Sequence, residues 1–226
     1  MKSPLLPRLL PVGPNNGFRQ AGWFIWCGSL IESGGHFHLF AARWPESTGF
    51  PNGYRDHSEI VRAEAPAPEG PYAFREIVLR GRGGSFWDGK MCSNPIEIIA
   101  RDISPGIKIE DPDLGFRNGQ FEMLVEDNVG GLTGHARHGA LLISRDGLHW
   151  EKSPFLHAYT HRVECTDGRV LDVERRERPE CFAPGNKGLA EPTHLLTGVL
   201  HEGKTWNLIQ RIAPADGMLR KMESGE

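Results

Sequence analysis

The acids of this sequence that could do chemistry sit in short sets beside proline, arginine, histidine or asparagine. In GIKIEDPDLG (residues 106–115), Glu110 and Asp111 stand side by side directly before Pro112, with apolar Ile109 and Leu114 on either flank. WDGKMCSNP (87–95) places Asp88 beside Trp87 with Asn94 a few residues on, RRERPE (175–180) carries Glu177 and Arg178, and YRDHSEI (54–60) carries His57. An ionised acid is costly to bury among apolar residues without partners. A pair of them where a buried strand begins is useful if it faces a polar funnel, and a sugar is a ligand that such a funnel suits.

Each set also has a plainer reading. An acid before proline can cap backbone N–H groups in a turn, and Asp88-Gly89 can be a simple turn. ERRERPE can be a solvated charge run, and His57 can be a surface or packing histidine. His36 and His38 share one face of a strand, but no third ligand accompanies them, so no metal site is expected. His135 and His138 in GHARHG read as loop residues. There is no P-loop, no G-x-S-x-G elbow, no H-E-x-x-H and no dinucleotide fingerprint in a strand–helix setting. No cofactor is expected.

The elements that must position these residues are strands. GWFIWCGSLI (22–31) and HFHLFAARW (36–44) read as a hairpin across Ser33, Gly34 and Gly35. HSEIVRAE (57–64) and YAFREIVL (72–79) follow, joined by a proline-rich turn. FRNGQFEMLVED (116–127) contains an Asn-Gly turn that favours a tight type I′ hairpin. GALLISRDGLHWEKS (139–153) adds strand, turn and strand; Asp146 is placed to accept backbone N–H groups and Trp150 to pack. TDGRVLDVE and LHEGKTWNLIQ supply further turn–strand signals. Gly35, Gly119 and Gly203 open similar strands at equal intervals, which suggests a repeat. Repeated short strands of this kind predict an all-β protein, a β-propeller of four-stranded blades whose inner strands converge on an axis.

Composition narrows the classes further. The 226 residues include 38% hydrophobic and 24% charged residues, an ordinary globular balance. The 28 glycines and 17 prolines are spread along the chain, as many turns require. A net charge of −3 with no basic block argues against nucleic acid as a partner. The four cysteines form no CxxC pair and read as free thiols. The apolar start is broken by prolines, so no signal peptide is read there. No run is long enough for a membrane helix. A cytoplasmic protein is expected. The expected division is an N-terminal extension over 1–21, a propeller over 22–214 and a tail over 215–226.

Taken together, RDHSEIVRAEAPAPEGPYAF, WDGKMCSNP, IEDPDLGFRNGQFEMLVEDNVGGLTG, SRDGLHW and RRERPE…PTHLLTGV resemble the five-bladed β-propeller glycoside hydrolases similar to family 43. The resemblance runs from about Gly22 to Pro214. It departs in the middle: CSNPIEII leads almost directly into GIKIEDP, where relatives place further strands. Three to four blades are therefore expected. Such an open propeller would expose strand edges, which invite pairing with a second copy, so a homodimer is one expected assembly. The resemblance implies hydrolysis of an O-glycosyl bond in an oligo- or polysaccharide, with inversion, by one protonated and one ionised carboxyl group and a third acid that tunes the donor. On that basis Glu110 is the expected general acid and Asp88 the base, with Glu177 as second acid or tuning carboxylate. His57, Trp87, Asn94, Asp111 and Arg178 are the expected substrate contacts. Because side chains alternate along a strand, Glu110 and Asp111 are expected to point to opposite faces. A non-catalytic carbohydrate-binding propeller and a propeller phosphorylase, with phosphate on Arg43, Arg178 and His57, are the alternatives.

Overall fold

The computed structural model describes residues 3–81, 83, 107–185 and 190–215. Its strands are β1 (Trp23–Ser33), β2 (His36–Pro45), β3 (Glu59–Ala65), β4 (Ala73–Leu79), β5 (Ile109–Arg117), β6 (Gln120–Asp127), β7 (His138–Ser144), β8 (Glu151–Tyr159), β9 (Arg162–Glu164), β10 (Val170–Asp172), β11 (Arg175–Phe182), β12 (His194–His201) and β13 (Lys204–Arg211). They form antiparallel sheets in sequential order: β1-β2-β3-β4, β5-β6-β7-β8 and β11-β12-β13, with β9-β10 as a separate pair. Among the described residues the one α-helix, α1 (Tyr54–His57), interrupts the β2–β3 connection. Among the described residues no helix is long and apolar enough to cross a membrane.

The expected turn chemistry is present. Asn118 and Gly119 take φ of 55° and 77°, the left-handed pair of a type I′ turn joining β5 to β6. In the β7–β8 turn, Asp146 Oδ1 accepts from the amides of Leu148 and His149, both at 2.8 Å. Trp150 then packs against Met123, Val125 and Leu142 on one face of its sheet.

The third sheet lies between the other two. Ile25, Leu30, Leu39 and Val61 of the first sheet pack with Phe182, Leu196 and Ile209 of the third. On the other side, Leu124, Leu141 and Tyr159 of the second sheet pack with Cys181 and Leu195. Residues ahead of β1 run along the free edge of β13, where Leu9 pairs with Ile212 and Phe18 with Asn207. Between these bridges the Asn16 carboxamide replaces a strand's backbone: Nδ2 donates to the Ile209 carbonyl at 2.5 Å, and Oδ1 accepts the Ile209 N–H at 2.8 Å. Gly17 makes this approach possible. Its φ is +77°, and a Cβ there would stand 1.6 Å from the Asn207 carbonyl oxygen. Gly17→Ala is expected to cost about 3 kcal/mol through left-handed strain and backbone displacement. Urea denaturation would show it, and a loss below about 0.5 kcal/mol would mean that this edge contributes little.

The repeat is in the inner strands rather than at the glycines. Gly35 and Gly119 join the first and second strands of their sheets, whereas Gly203 joins the second and third of its sheet. By contrast, β1, β5 and β11 each carry a one-residue bulge, between Trp26 and Ser29, Glu110 and Asp113, and Glu177 and Glu180. The second residue of each bulge is left-handed: Cys27 at 54°, Asp111 at 54° and Arg178 at 60°. WCGS, EDPD and ERPE are therefore equivalent. The last residue of each bulge reaches the neighbouring blade. Asp113 Oδ2 accepts the Cys181 amide at 3.0 Å, and Glu180 Oε1 accepts the Leu30 amide at 3.3 Å. The same offset at both seams sets the three bulges at one level, with the three inner strands running in the same direction.

Candidate active site

The bulges decide where the acids point. Strand alternation would separate Glu110 from Asp111, but the left-handed turn at Asp111 breaks the alternation, and the expectation of opposite faces fails. One carboxylate oxygen each from Glu110, Asp111 and Glu126 lies within 4.8 Å of the other two. Glu110 and Glu126 are direct cross-strand partners on β5 and β6. Glu110 is exposed, Asp111 is half-buried and Glu126 is fully buried.

Arginines from both sheets meet this group at the seam to the third sheet. Arg178, at the bulge position equivalent to Asp111, donates to Asp111 Oδ1. Arg137, at the end of the β6–β7 loop, donates to Glu126 Oε1 at 3.0 Å and to Glu177 Oε1 at 2.6 Å. Arg175 donates to the same Glu177 oxygen at 3.2 Å. Arg137 is itself left-handed, with φ of 63°, and its loop is held by the buried Asp127. Oδ2 of Asp127 accepts the amides of Leu132 (2.9 Å) and Thr133 (2.7 Å) and the Thr133 hydroxyl (2.8 Å). Behind the loop, His138 stands between His135 and His161, with ring centroids 4.9 and 5.3 Å away. Burial, and then its histidine neighbours, pull the His138 pKa down to about 4.

Burial also governs the acids. It raises the Glu126 pKa to about 8, reinforced by the charge of Glu177 and opposed by Arg137. It raises Asp111 to about 6 against the pull of Arg178, with Glu110 and Glu177 adding to the rise. Glu126 Oε2 and Asp111 Oδ2 are buried without a hydrogen-bond partner among the described residues. The three carboxyls are close enough to hold an ion. Their chemistry favours retained protons instead: Asp111 and Glu126 already have arginine partners, and burial keeps a proton on Glu126 at neutral pH.

The folded protein thus retains protons that an unfolded chain releases above its ordinary carboxylate pKa values, 3.8 for Asp111 and 4.5 for Glu126. Through these groups stability falls as pH rises, until the folded-state values of about 6 and about 8 are passed. Glu126→Gln is permanently neutral and keeps an oxygen for Arg137. It is expected to flatten the decline in melting temperature between about pH 5 and about pH 8. An identical slope in the variant would count against a proton held on Glu126.

Of the residues singled out in the sequence, the fold brings together Glu110, Asp111, Glu177 and Arg178. His57 is exposed at the end of α1. Trp87, Asp88 and Asn94 lie outside the described residues. Arg43 is committed elsewhere. Its Nε and Nη2 donate to Glu59 Oε1 at 2.9 and 2.7 Å, its Nη1 donates to Gln20, and its guanidinium lies over the Trp23 and Phe74 rings. His36 and His38 both face Glu64, at 3.5 and 3.7 Å. Trp26 and Trp44 are buried in an aromatic cluster with Phe24, as core tryptophans. Sequence reading missed Glu126 and Arg137. The signal available for Glu126 was its place in EMLVED: the Asn-Gly hairpin alone sets Asp127 opposite Glu110, and the one-residue bulge moves that place to Glu126.

No protein-family model matches this sequence, and no curated protein does. Solved structures do. The catalytic domain of a family 62 α-L-arabinofuranosidase from Coprinopsis cinerea aligns over 92% of this chain and 98% of its own, with a TM-score of 0.57 at 12% identity. An α-L-arabinofuranosidase from Podospora anserina, solved in complex with cellotriose, aligns over 95% and 100%, with a TM-score of 0.53 at 13% identity. A family 43 protein from Bacillus licheniformis aligns over 86% of this chain and 42% of its own, at 0.39 and 15%. The fold shared with the two arabinofuranosidases is a β-propeller, here with three described blades.

Proposed function

We propose that this chain is a glycoside hydrolase acting on an oligo- or polysaccharide by an inverting, two-carboxylate mechanism. The observation that carries the reading is the bulge at Asp111, which gathers Glu110, Asp111 and Glu126 at the mouth of the inner strands. Glu110, the exposed member, donates its proton to the leaving glycosidic oxygen. Asp88 takes a proton from water as that water's oxygen bonds to the anomeric carbon, and the carbon–oxygen bond to the leaving group breaks. The three gathered carboxyls are too close together to admit a water on the far side of a sugar ring, so the base has to come from outside the trio. Glu177 is the tuning carboxylate, and its charge raises the proton affinity of Glu126 and Asp111, the two acids gathered with the donor. Asp111 and Arg178 hold each other in place and contact substrate, with His57, Trp87 and Asn94 as further contacts.

Purified chain assayed on a panel of aryl α- and β-glycosides tests this reading. The arabinofuranosides named for the two similar structures come first, followed by xylosides and galactosides. Turnover on any of them without phosphate supports hydrolysis. Turnover only with phosphate would favour the phosphorylase, although Arg43, bound to Glu59, is not free to hold that ion. Binding without turnover would favour a carbohydrate-binding propeller, a reading to which the ion-paired state of Asp111 and Glu177 lends weight.

A further inference from the structure

Glu177 receives two guanidinium groups on one oxygen, from Arg137 and Arg175. Arg178 has Asp111, and Arg137 has Glu126 as a second acceptor. Among the described residues, Arg175 is thus the arginine of this mouth with no acid of its own. Its side chain is 32% exposed, against 8% for Glu177, so the cation is open to solvent while its shared counter-ion is not. Arg175 also leans away from Glu110. Its guanidinium carbon lies 5.4 Å from the centre of the Phe50 ring, in the β2–β3 connection of the first sheet, whereas Glu110 belongs to the second sheet. Phe50 is a firm platform, with ring centroids 5.0 Å from Trp26, 5.8 Å from Trp44 and 5.4 Å from Phe24.

A planar cation with spare donors, kept on an aromatic ring at the rim of a polar mouth, suits an oxyanion. Glu110, Asp111 and Glu126 stand on the second sheet, and the carboxylate beside Arg175, that of Glu177, is also held by Arg137, so an anion on the Phe50 side of Arg175 does not have to sit against Glu110. We propose that Arg175 and Phe50 form a subsite for a carboxylate carried by the carbohydrate, making the ligand an acidic, uronosyl-bearing glycan. This rests on the carbohydrate reading above and adds the chemical class of the sugar.

Calorimetric titration of the full chain with trigalacturonate and with galactotriose of the same linkage tests the subsite, since the two sugars differ only at C6. The acidic sugar is expected to bind about tenfold more tightly, as a charge-assisted hydrogen bond allows. The ratio is expected to shrink between about 0.05 M and about 0.5 M NaCl. In Arg175→Gln it falls to near one, in Arg175→Lys it is partly kept, and in Phe50→Leu, which leaves every charge in place, it is reduced. Equal affinities for the two sugars in the wild type, an undiminished ratio in Arg175→Gln, or binding of neither sugar would each overturn the proposal. So would inorganic phosphate alone binding as tightly as trigalacturonate, because the site would then be one for a free oxyanion. The aryl glycosides, with an aryl galacturonide and trigalacturonate itself added, judge the hydrolase reading separately: turnover there with no acidic preference in binding sinks this subsite alone, and acidic preference with no turnover on any of them sinks the hydrolase alone.

Discussion

Replacing Glu110 by glutamine is expected to lower turnover about 10²–10⁴-fold, the usual contribution of a positioned proton donor. Glutamine keeps the shape and loses the transferable proton. Glu110 is exposed on β5, so the variant should melt within about 0.5 kcal/mol of the parent. The leaving group separates proton donation from other roles. An aryl glycoside whose phenol leaves readily needs little protonation, and the variant should retain much more of its activity on it. A sugar leaving group needs full protonation and should show the whole loss. A loss equal on both substrates would assign Glu110 to binding, and no loss on either would remove it from the reaction.

The second large effect concerns Asp127, which no substrate need touch. Asp127→Ala removes the acceptor of two backbone amides and one hydroxyl. Asp127 and Thr133 are buried, so the amides freed by the change have poor access to water. At roughly 1–3 kcal/mol for each unsatisfied group, a loss of about 3 kcal/mol or more is expected in urea denaturation. The same loop aims Arg137 at Glu126 and Glu177, so turnover should fall as well. Asp127→Asn retains an acceptor oxygen and should recover much of the stability. A loss below about 1 kcal/mol in Asp127→Ala would show that the loop is held by other contacts.

Much of the local architecture was legible in the order of residues. The two hairpins of the first sheet, the Asn118–Gly119 turn and the Ser144–Asp146 turn follow from alternation and from left-handed or self-capping residue types, which act over a few neighbours. The EDP and ERP sets were also visible as strands carrying acids. Their equivalence was not, because the third copy, WCGS, has no acid or proline in common with them; only the pairing register shows that Cys27, Asp111 and Arg178 occupy one position in three blades.

The sequence by itself determined the strands, their turns and the presence of carboxylates at the starts of inner strands, since these depend on side-chain alternation and local backbone preference. The tertiary structure decided which carboxylates meet. Alternation pointed Glu110 and Asp111 apart, and the bulge turned them together. Glu126 joined them through cross-strand register, Arg178 reached Asp111 across the seam between sheets, and Arg137 tied Glu126 of its own sheet to Glu177 across that seam. Register, bulge and seam depend on how distant segments pack. The same packing removes Glu126 and Asp111 from water, and that burial raises their proton affinity.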